Sequence, residues 1–578
     1  MNEGNSTESA SVRWQIVDVA GKLVAATMAP AQQIPVDGAA RFEATAKIVR
    51  PALWSVETPN LYTAVVTVKS GDRTRDAERI TFGVRTIRFD ADRGFLLNGK
   101  PLKIQGTCNH QDHAGVGSAL PDRVQAFRVG VLQGMGCNAV RTSHNMPTPE
   151  WVEACDRMGM TMMCETRQMS SSPEGLAQLE VMIKRYRNSP CIILWSIGNE
   201  EARLQDDEAE QGAKIAAAMV RRCHELDPTR GVSAAVHGDN EKGPSDALDI
   251  IGFNYALMIP DRYHKEHPAR PIYGSETSST FSTRGVYQTD ALRNTVSAYD
   301  VNPADWGERA EEWWTFYATR EWAAGGFAWS GFDYRGEPDP YGWPSINTQY
   351  GIVDTCGFPK DSFFYYKAWW TKEPVLHLFP HWNWEGREGS EIPVWVYSNL
   401  DEVELLLNGK SAGRQKVPRL GHAEWKVRYE PGVIEAQGWK DGELLLTEQR
   451  ETTGAVATLR FAADRTTIDA DGQDVVVLTV DALDIAGRTI PTASNLVNFK
   501  VRGEGVLIGV GNGDPNCHES DKEPKRSLFN GLAQVIVQST RKSGEVEIEA
   551  STIVPGRTVT PAKVTIATKQ VELRATVG

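Results

Sequence analysis

At 578 residues the chain exceeds what one hydrophobic core organises, so several domains are expected. Apolar content of 41% and charged content of 24% are those of a globular protein, and no apolar run is long enough for a membrane helix, so neither a disordered chain nor a helical membrane protein fits. A net charge of −13 with no basic patch argues against nucleic acid as a partner.

Residues 1–10 are polar and acidic and read as a disordered N-terminal tail rather than a signal peptide. The eight cysteines include no CxxC pair, and several lie in apolar runs, which is the pattern of a reduced, cytoplasmic protein. From 11 to 85 the segments 12–19, 40–49 and 62–68 alternate apolar and polar residues, with turn signals at Asp37-Gly38 and Ser70-Gly71-Asp72. This predicts an immunoglobulin-like β-sandwich.

Between 86 and 373 short apolar runs (102–106, 137–141, 160–164, 191–197, 249–253, 271–275 and 325–329) alternate with helical stretches such as 149–158, where Pro149-Glu150 is a start and Gly159 a stop. Strand–helix alternation over this length predicts a central (β/α)8 TIM barrel. No GxGxxG fingerprint supports an open doubly wound sheet instead. The chain then returns to β: 374–454 reads as a β-sandwich, with 392–398 and 402–410 as a hairpin-like unit and Asn408-Gly409 as a strong turn. Residues 455–578 read as a C-terminal immunoglobulin-like sandwich.

Barrel active sites sit at the C-terminal tips of the strands. Two tips carry a glutamate there: Glu200, after Cys191–Asn199, and Glu276, after Pro271–Ser275. A carboxylic acid to protonate a leaving oxygen and a carboxylate to attack or to activate water is the pair that glycosidic bond cleavage needs. Carboxyl groups about 5–5.5 Å apart retain the anomeric configuration, and about 6.5–9.5 Å apart invert it. Asn199 offers an amide to a sugar hydroxyl. Tyr255 closes the run Ile250–Tyr255, where a phenol can hydrogen-bond a nucleophilic carboxylate. Arg141, at another tip, would lower the pKa of a facing glutamate.

His110, His113 and His144 read as hydrogen-bond donors to sugar hydroxyls, with a satisfied core imidazole as the alternative for His113 in particular. Together with Asp112 and Glu165 the three histidines resemble a metal cluster, yet no HExxH-like spacing is present, so no catalytic metal or other cofactor is expected. Trp329, ending the eighth strand, is placed to form an apolar floor under a sugar ring. Asp333, with Arg335 and Glu337, follows in a Gly-rich loop, and these residues read as binding sugar hydroxyls or each other. Trp306 and the 381–384 aromatics are weaker candidates for a leaving-group platform.

These residues resemble glycoside hydrolase family 2 and, within it, the β-galactosidases. The likeness runs through Leu53-Trp-Ser-Val-Glu-Thr-Pro-Asn-Leu-Tyr62, Phe82-Gly-Val-Arg-Thr-Ile-Arg-Phe89 and Gly94-Phe-Leu-Leu-Asn-Gly-Lys-Pro101, then the whole barrel, then 357–361 and 397–410. It implies a retaining, exo-acting enzyme that releases terminal β-D-galactose from β-galactosides or oligosaccharides. Glu200 matches the family's acid/base and Glu276 its nucleophile. Tyr255, Asn199, His110, His144 and Trp329 match positions that contact the sugar or the nucleophile, and Arg141 matches an arginine beside the catalytic carboxylate.

Two departures are visible. Family members begin with a jelly-roll sugar-binding domain, whereas this chain starts at or inside the immunoglobulin-like one. The expectation is a pocket completed by a neighbouring subunit of a homo-oligomer, or a carbohydrate-binding fragment without activity. Magnesium-dependent relatives carry a Glu-x-His pair after the third strand, where this chain has Glu165-Thr166-Arg167. The enzymatic alternatives within the family are a β-glucuronidase or a β-mannosidase.

Overall fold

The computed structural model describes residues 1–238 and 240–572. Strands β1 (Glu8–Val17), β2 (Leu23–Ile34), β3 (Tyr62–Ser70) and β4 (Arg73–Phe82) form one antiparallel sheet in the order β2-β1-β3-β4. The tail expected over 1–10 is already tied to it. Glu8–Ala10 pair along Ile34–Gln32, and the Asn2 amide donates to the carbonyls of Ser6 and Ile34, each at 2.9 Å. The strand expected over 40–49 does not form, since no strand lies between Ile34 and Tyr62. Alternation specifies the two faces a strand would present but not a partner to pair with, and none of the four strands of this sheet pairs with 40–49.

A small sheet of β5 (Ile87–Asp90), β6 (Gly94–Leu97) and β7 (Lys100–Pro101) follows. It sends Phe95 and Leu97 into the barrel's core at the N-terminal end of the strands.

The barrel closes through β8 (Ile104–Asn109), β9 (Ala139–Thr142), β10 (Thr161–Glu165), β11 (Ile192–Asn199), β12 (Gly231–His237), β13 (Ile251–Asn254), β14 (Ile272–Ser278) and β15 (Ala323–Trp329), all parallel. Seven of these coincide with the apolar runs of the sequence. β12, Gly-Val-Ser-Ala-Ala-Val-His, does not stand out because its small residues lack the apolar weight of its neighbours, although its interior is fully buried. The helix Pro149–Met158 ends as its sequence dictates, with Gly159 in the left-handed region at φ 77°. All eight cysteines are unpaired, and seven are buried. Among the described residues no helix is long and apolar enough to cross a membrane.

The sandwich after the barrel packs the strands Leu376–Phe379, Glu391–Ser398 and Ala423–Arg428 against a four-stranded sheet built on Glu402–Leu407, with Leu378, Val394, Leu405 and Ile434 between them. The strands at 391–398 and 402–407 are therefore not a hairpin. They belong to opposite sheets, and the short link between them crosses the sandwich. Asn408-Gly409 does form the expected turn, both residues at positive φ (49° and 77°), joining Glu402–Leu407 to Lys410–Lys416.

The C-terminal sandwich closes around Val476, Leu478, Val535 and Ile548 and docks on the barrel. Val475, Val477 and Ile536 bury Val124 of the barrel. His113, expected to donate to a sugar, is instead a core imidazole, 1% exposed with its Nε2 2.8 Å from Gln534 Oε1. Arg284 pairs with Asp354 at 2.6 Å and donates to the carbonyls of Asn512 (2.9 Å) and Phe529 (2.7 Å). Gly513 (φ 74°) passes so close to Asp354 that a Cβ would lie 1.8 Å from Oδ2. Beyond it Ile346 N donates to Pro515 O (2.9 Å) and Arg335 pairs with Asp521 (2.6 Å), so this loop also holds the barrel segment 335–347.

Candidate active site

The C-terminal tips of the strands open into one cavity of about 950 Å³, and every strand contributes to its wall. In order round the rim these are His110 after β8, His144 after β9, Arg167 after β10, Asn199 and Glu200 at β11, His237 at β12, Asn254–Met258 after β13, Glu276 on β14, and Trp329 on β15. Backbone geometry at the tips is unusual. Glu200 (φ 45°) and Tyr255 (φ 57°) occupy the left-handed region, which turns the chain sharply out of the strand and costs a non-glycine residue about 1 kcal/mol.

The two glutamates differ in burial and in their partners. Glu276 is 4% exposed, and its Oε1 accepts from Arg141 Nη1 at 2.6 Å while its Oε2 accepts from Tyr255 OH at 3.1 Å. Burial pushes its pKa up, and the Arg141 guanidinium and His144 act against that rise. Glu200 is exposed; its Oε1 accepts from Asn254 Nδ2 at 2.8 Å, and its N–H bonds Ala235 O at 2.9 Å. Ser275 Oγ in turn donates to Asn254 Oδ1 at 2.6 Å, which fixes the amide orientation and aims its N–H at Glu200.

Arg141 lies beneath the cavity rather than in its wall. It is fully buried, so it positions groups and offers no free N–H to a sugar. Nε and Nη2 grip Glu165 at 2.9 and 3.0 Å, and Nη2 also donates to Asn199 Oδ1 at 2.7 Å. Burial acts to raise Glu165, but Arg141, His144 and Ser196 together bring it below the usual carboxylate range. His144 Nδ1 lies 2.8 Å from Glu165 Oε1, which accepts, and 3.1 Å from Arg141 Nη2, which donates. Nε2 is 3.8 Å from Glu276 Oε1. The part of the suspected metal cluster around Glu165 is thus an ion-pair and hydrogen-bond network in which Glu165 is saturated by donors.

Trp329 and His144 stack, with ring centroids 5.2 Å apart and an interplanar angle of 14°. His110 lies flat on Tyr334 at 3.7 Å. Burial, with His144 and Arg128 nearby, drops the His110 pKa to about 3, so the ring is neutral, and its buried Nδ1 has no partner among the described residues. Asp333 departs from its expected role: it is 4% exposed, ion-paired to Lys360 at 2.8 Å, bonded by Gly351 N at 2.7 Å, and is not among the lining residues. A buried carboxylate is kept only where paired, and Lys360 satisfies it inside the fold. Glu337, further along the same loop, does reach the wall and accepts from Tyr334 OH.

Sequence reasoning passed over Asn254, the residue that holds Glu200; its signal was a polar amide ending an apolar strand, the same pattern that marked Asn199. It also passed over His237, Arg167 and Glu308.

The sequence descriptions of known families match along the chain. "Glycosyl hydrolases family 2" covers residues 1–85, "Glycosyl hydrolases family 2, TIM barrel domain" covers 90–174 and 165–270, and "Glycoside hydrolase family 2 C-terminal domain 5" covers 459–558. A protein named Beta-galactosidase BoGH2A, from Bacteroides ovatus, is 34% identical over 95% of this chain and 72% of its own length. The chain belongs to glycoside hydrolase family 2.

Among other family 2 relatives, a putative beta-glucuronidase of Formosa agariphila is 30% identical over 90% of this chain, which spans 54% of that protein. The crystal structure of a beta-glycosidase from Bacteroides vulgatus superposes with a TM-score of 0.85 at 29% identity, covering 97% of this chain and 75% of that one. A TIM barrel and flanking β-sandwich domains are thus what this chain shares with family 2.

Proposed function

We propose that the chain is a retaining, exo-acting β-galactosidase. The observation that carries this reading is the asymmetry of the glutamate pair: Glu276 is buried between a cation and a phenol, and Glu200 is exposed and steadied by an amide. Glu276 attacks the anomeric carbon. Glu200 gives its proton to the departing oxygen, which completes the covalent glycosyl-enzyme. Glu200, now ionised, takes a proton from water, and the resulting attack releases the sugar with its original anomeric configuration. Arg141 and Tyr255 orient Glu276, and the Arg141 charge favours its ionised form against the burial that raises its pKa.

For the sugar, the charge of the wall favours a neutral ring. Glu200, Glu276, Asp305, Glu308 and Glu337 line the cavity with Arg167 as the arginine facing them. A uronate carboxylate would enter against that field. Hydrolysis of a nitrophenyl panel of β-galactoside, β-glucuronide and β-mannoside tests the reading, with Glu276→Gln as the blank. Galactoside should lead by at least an order of magnitude in kcat/KM. A glucuronide in first place overturns the sugar assignment, and no hydrolysis of any member by the folded protein overturns the enzymatic one.

A further inference from the structure

The cavity is larger than one sugar ring requires. It measures about 950 Å³, near the upper end of the roughly 300–1,000 Å³ that ligand pockets span. The nucleophile, Trp329, His110 and His144 occupy one side, at the tips of β14, β15, β8 and β9. Glu200 stands away from them at β11, bound through its own N–H to Ala235 O on β12. A leaving group protonated by Glu200 therefore departs towards the tips of β12 and β13.

The wall it meets there carries three large apolar side chains beside the polar His237, Asp305 and Glu308. Leu257 and Met258, on the loop after β13, and Trp306, on the loop after β14, all line the cavity. Met258 is 87% exposed and Trp306 49%. Large apolar side chains grouped in a concave, water-facing surface mark a place where a ligand is received. The loops that carry them are fixed: Leu257 N donates to Glu308 Oε1 at 3.4 Å, and Glu308 N to Ser278 O at 2.7 Å. The Trp306 indole is braced by Tyr350, centroids 6.3 Å apart at 62°.

We propose that Leu257, Met258 and Trp306 form the leaving-group site and that they select an aryl aglycone over a methyl or sugar one. This rests on the assignment of Glu200 and Glu276 as the glycosidase pair. An indole face and a thioether both pack well against a flat aromatic ring, whereas a sugar needs hydrogen-bond partners that Leu and Met cannot supply.

The test compares kcat/KM for the phenyl glycoside, the methyl glycoside and a disaccharide of whichever sugar the wild type hydrolyses, in wild type, Trp306→Ala, Met258→Ala and Trp306→Phe. The phenyl-to-methyl ratio should fall on the order of tenfold in Trp306→Ala and about threefold in Met258→Ala, the sizes expected for losing one aromatic and one sulfur contact. Trp306→Phe should restore most of it. A ratio that stays within twofold of wild type in both alanine variants overturns the proposal. So does a disaccharide that suffers as much as the phenyl glycoside, because the site would then be reading sugar. A wild type that hydrolyses nothing removes the glycosidase reading itself, a result plainly different from either.

Discussion

Arg141 Nη1 stands 2.6 Å from Glu276 Oε1, with the guanidinium wholly shielded from water. The same guanidinium holds Glu165, so one cation serves two buried carboxylates. Truncating it leaves both uncompensated. Arg141→Ala should lower kcat/KM at least about 10³-fold and destabilise the barrel by about 3–5 kcal/mol, the usual result of stripping one partner from a buried ion pair. Arg141→Lys keeps a charge but not the fork. With the cation less well placed, Glu276 holds its proton to higher pH, so the acid limb of the pH–rate profile should move up in Arg141→Lys. A limb that stays in place or moves down contradicts the role given to Arg141.

The glutamates themselves have distinguishable phenotypes. Glu276→Gln removes the carboxylate proposed to attack and should reduce turnover at least about 10⁴-fold. Glu200→Ala should remain able to form the glycosyl-enzyme from substrates with good leaving groups, and added azide should release it as the β-glycosyl azide. Detection of the α-azide instead would assign an inverting course.

Tyr255→Phe deletes the 3.1 Å bond to Glu276 and nothing else that the phenol donates. Hydrogen bonds to charged groups are worth about 1.5–3 kcal/mol, so kcat/KM should drop roughly 10–100-fold while the melting temperature holds within a few degrees. Equal activity in the variant would show that Arg141 alone orients the nucleophile.

Glu308 gives a pH-dependent stability of known sign. Burial raises its pKa to about 7, and its Oε2 has no partner. Between the unfolded value near 4.5 and the folded value near 7, the folded state holds the proton that the unfolded state has lost. Stability contributed by this group therefore falls as pH rises through that window and is level above it. Glu308→Gln should melt with wild type at pH 4.5 and about 2 °C above it at pH 8, measured by differential scanning calorimetry of the barrel transition. A gap that widens towards low pH reverses the argument.

Much of the site was readable because strand tips combine two local signals, a buried apolar run and a polar residue ending it. Glu200, Glu276, Tyr255 and Asn199 follow that rule, and Trp329 is marked instead as a large aromatic ending the last barrel strand. Asp333 broke it: it lies past a tip too, but its fate depended on Lys360, which is remote in sequence and declares itself only when the loop folds back. β12 was obscured for the opposite reason, since its interior position is filled by alanine and serine. The paired strands at 391–398 and 402–407 show the third limit. Adjacency in sequence could not tell a hairpin from a crossing between sheets, because that choice is made by Ala423–Arg428 and Val433–Lys440, the strands each one pairs with.

The grip of the loop around Gly513 on the barrel segment 335–347 has a consequence for modular engineering. Every carboxylate of the chemistry lies between β8 and β15 and would survive excision of the last domain. What would not survive is the placement of Glu337 and its neighbours, which lean on Pro515 and Asp521. A chimera that exchanged the C-terminal sandwich for a relative's would inherit the bond-breaking machinery unchanged and a differently contoured entrance, so the terminal domain is the natural handle for retuning what the entrance admits.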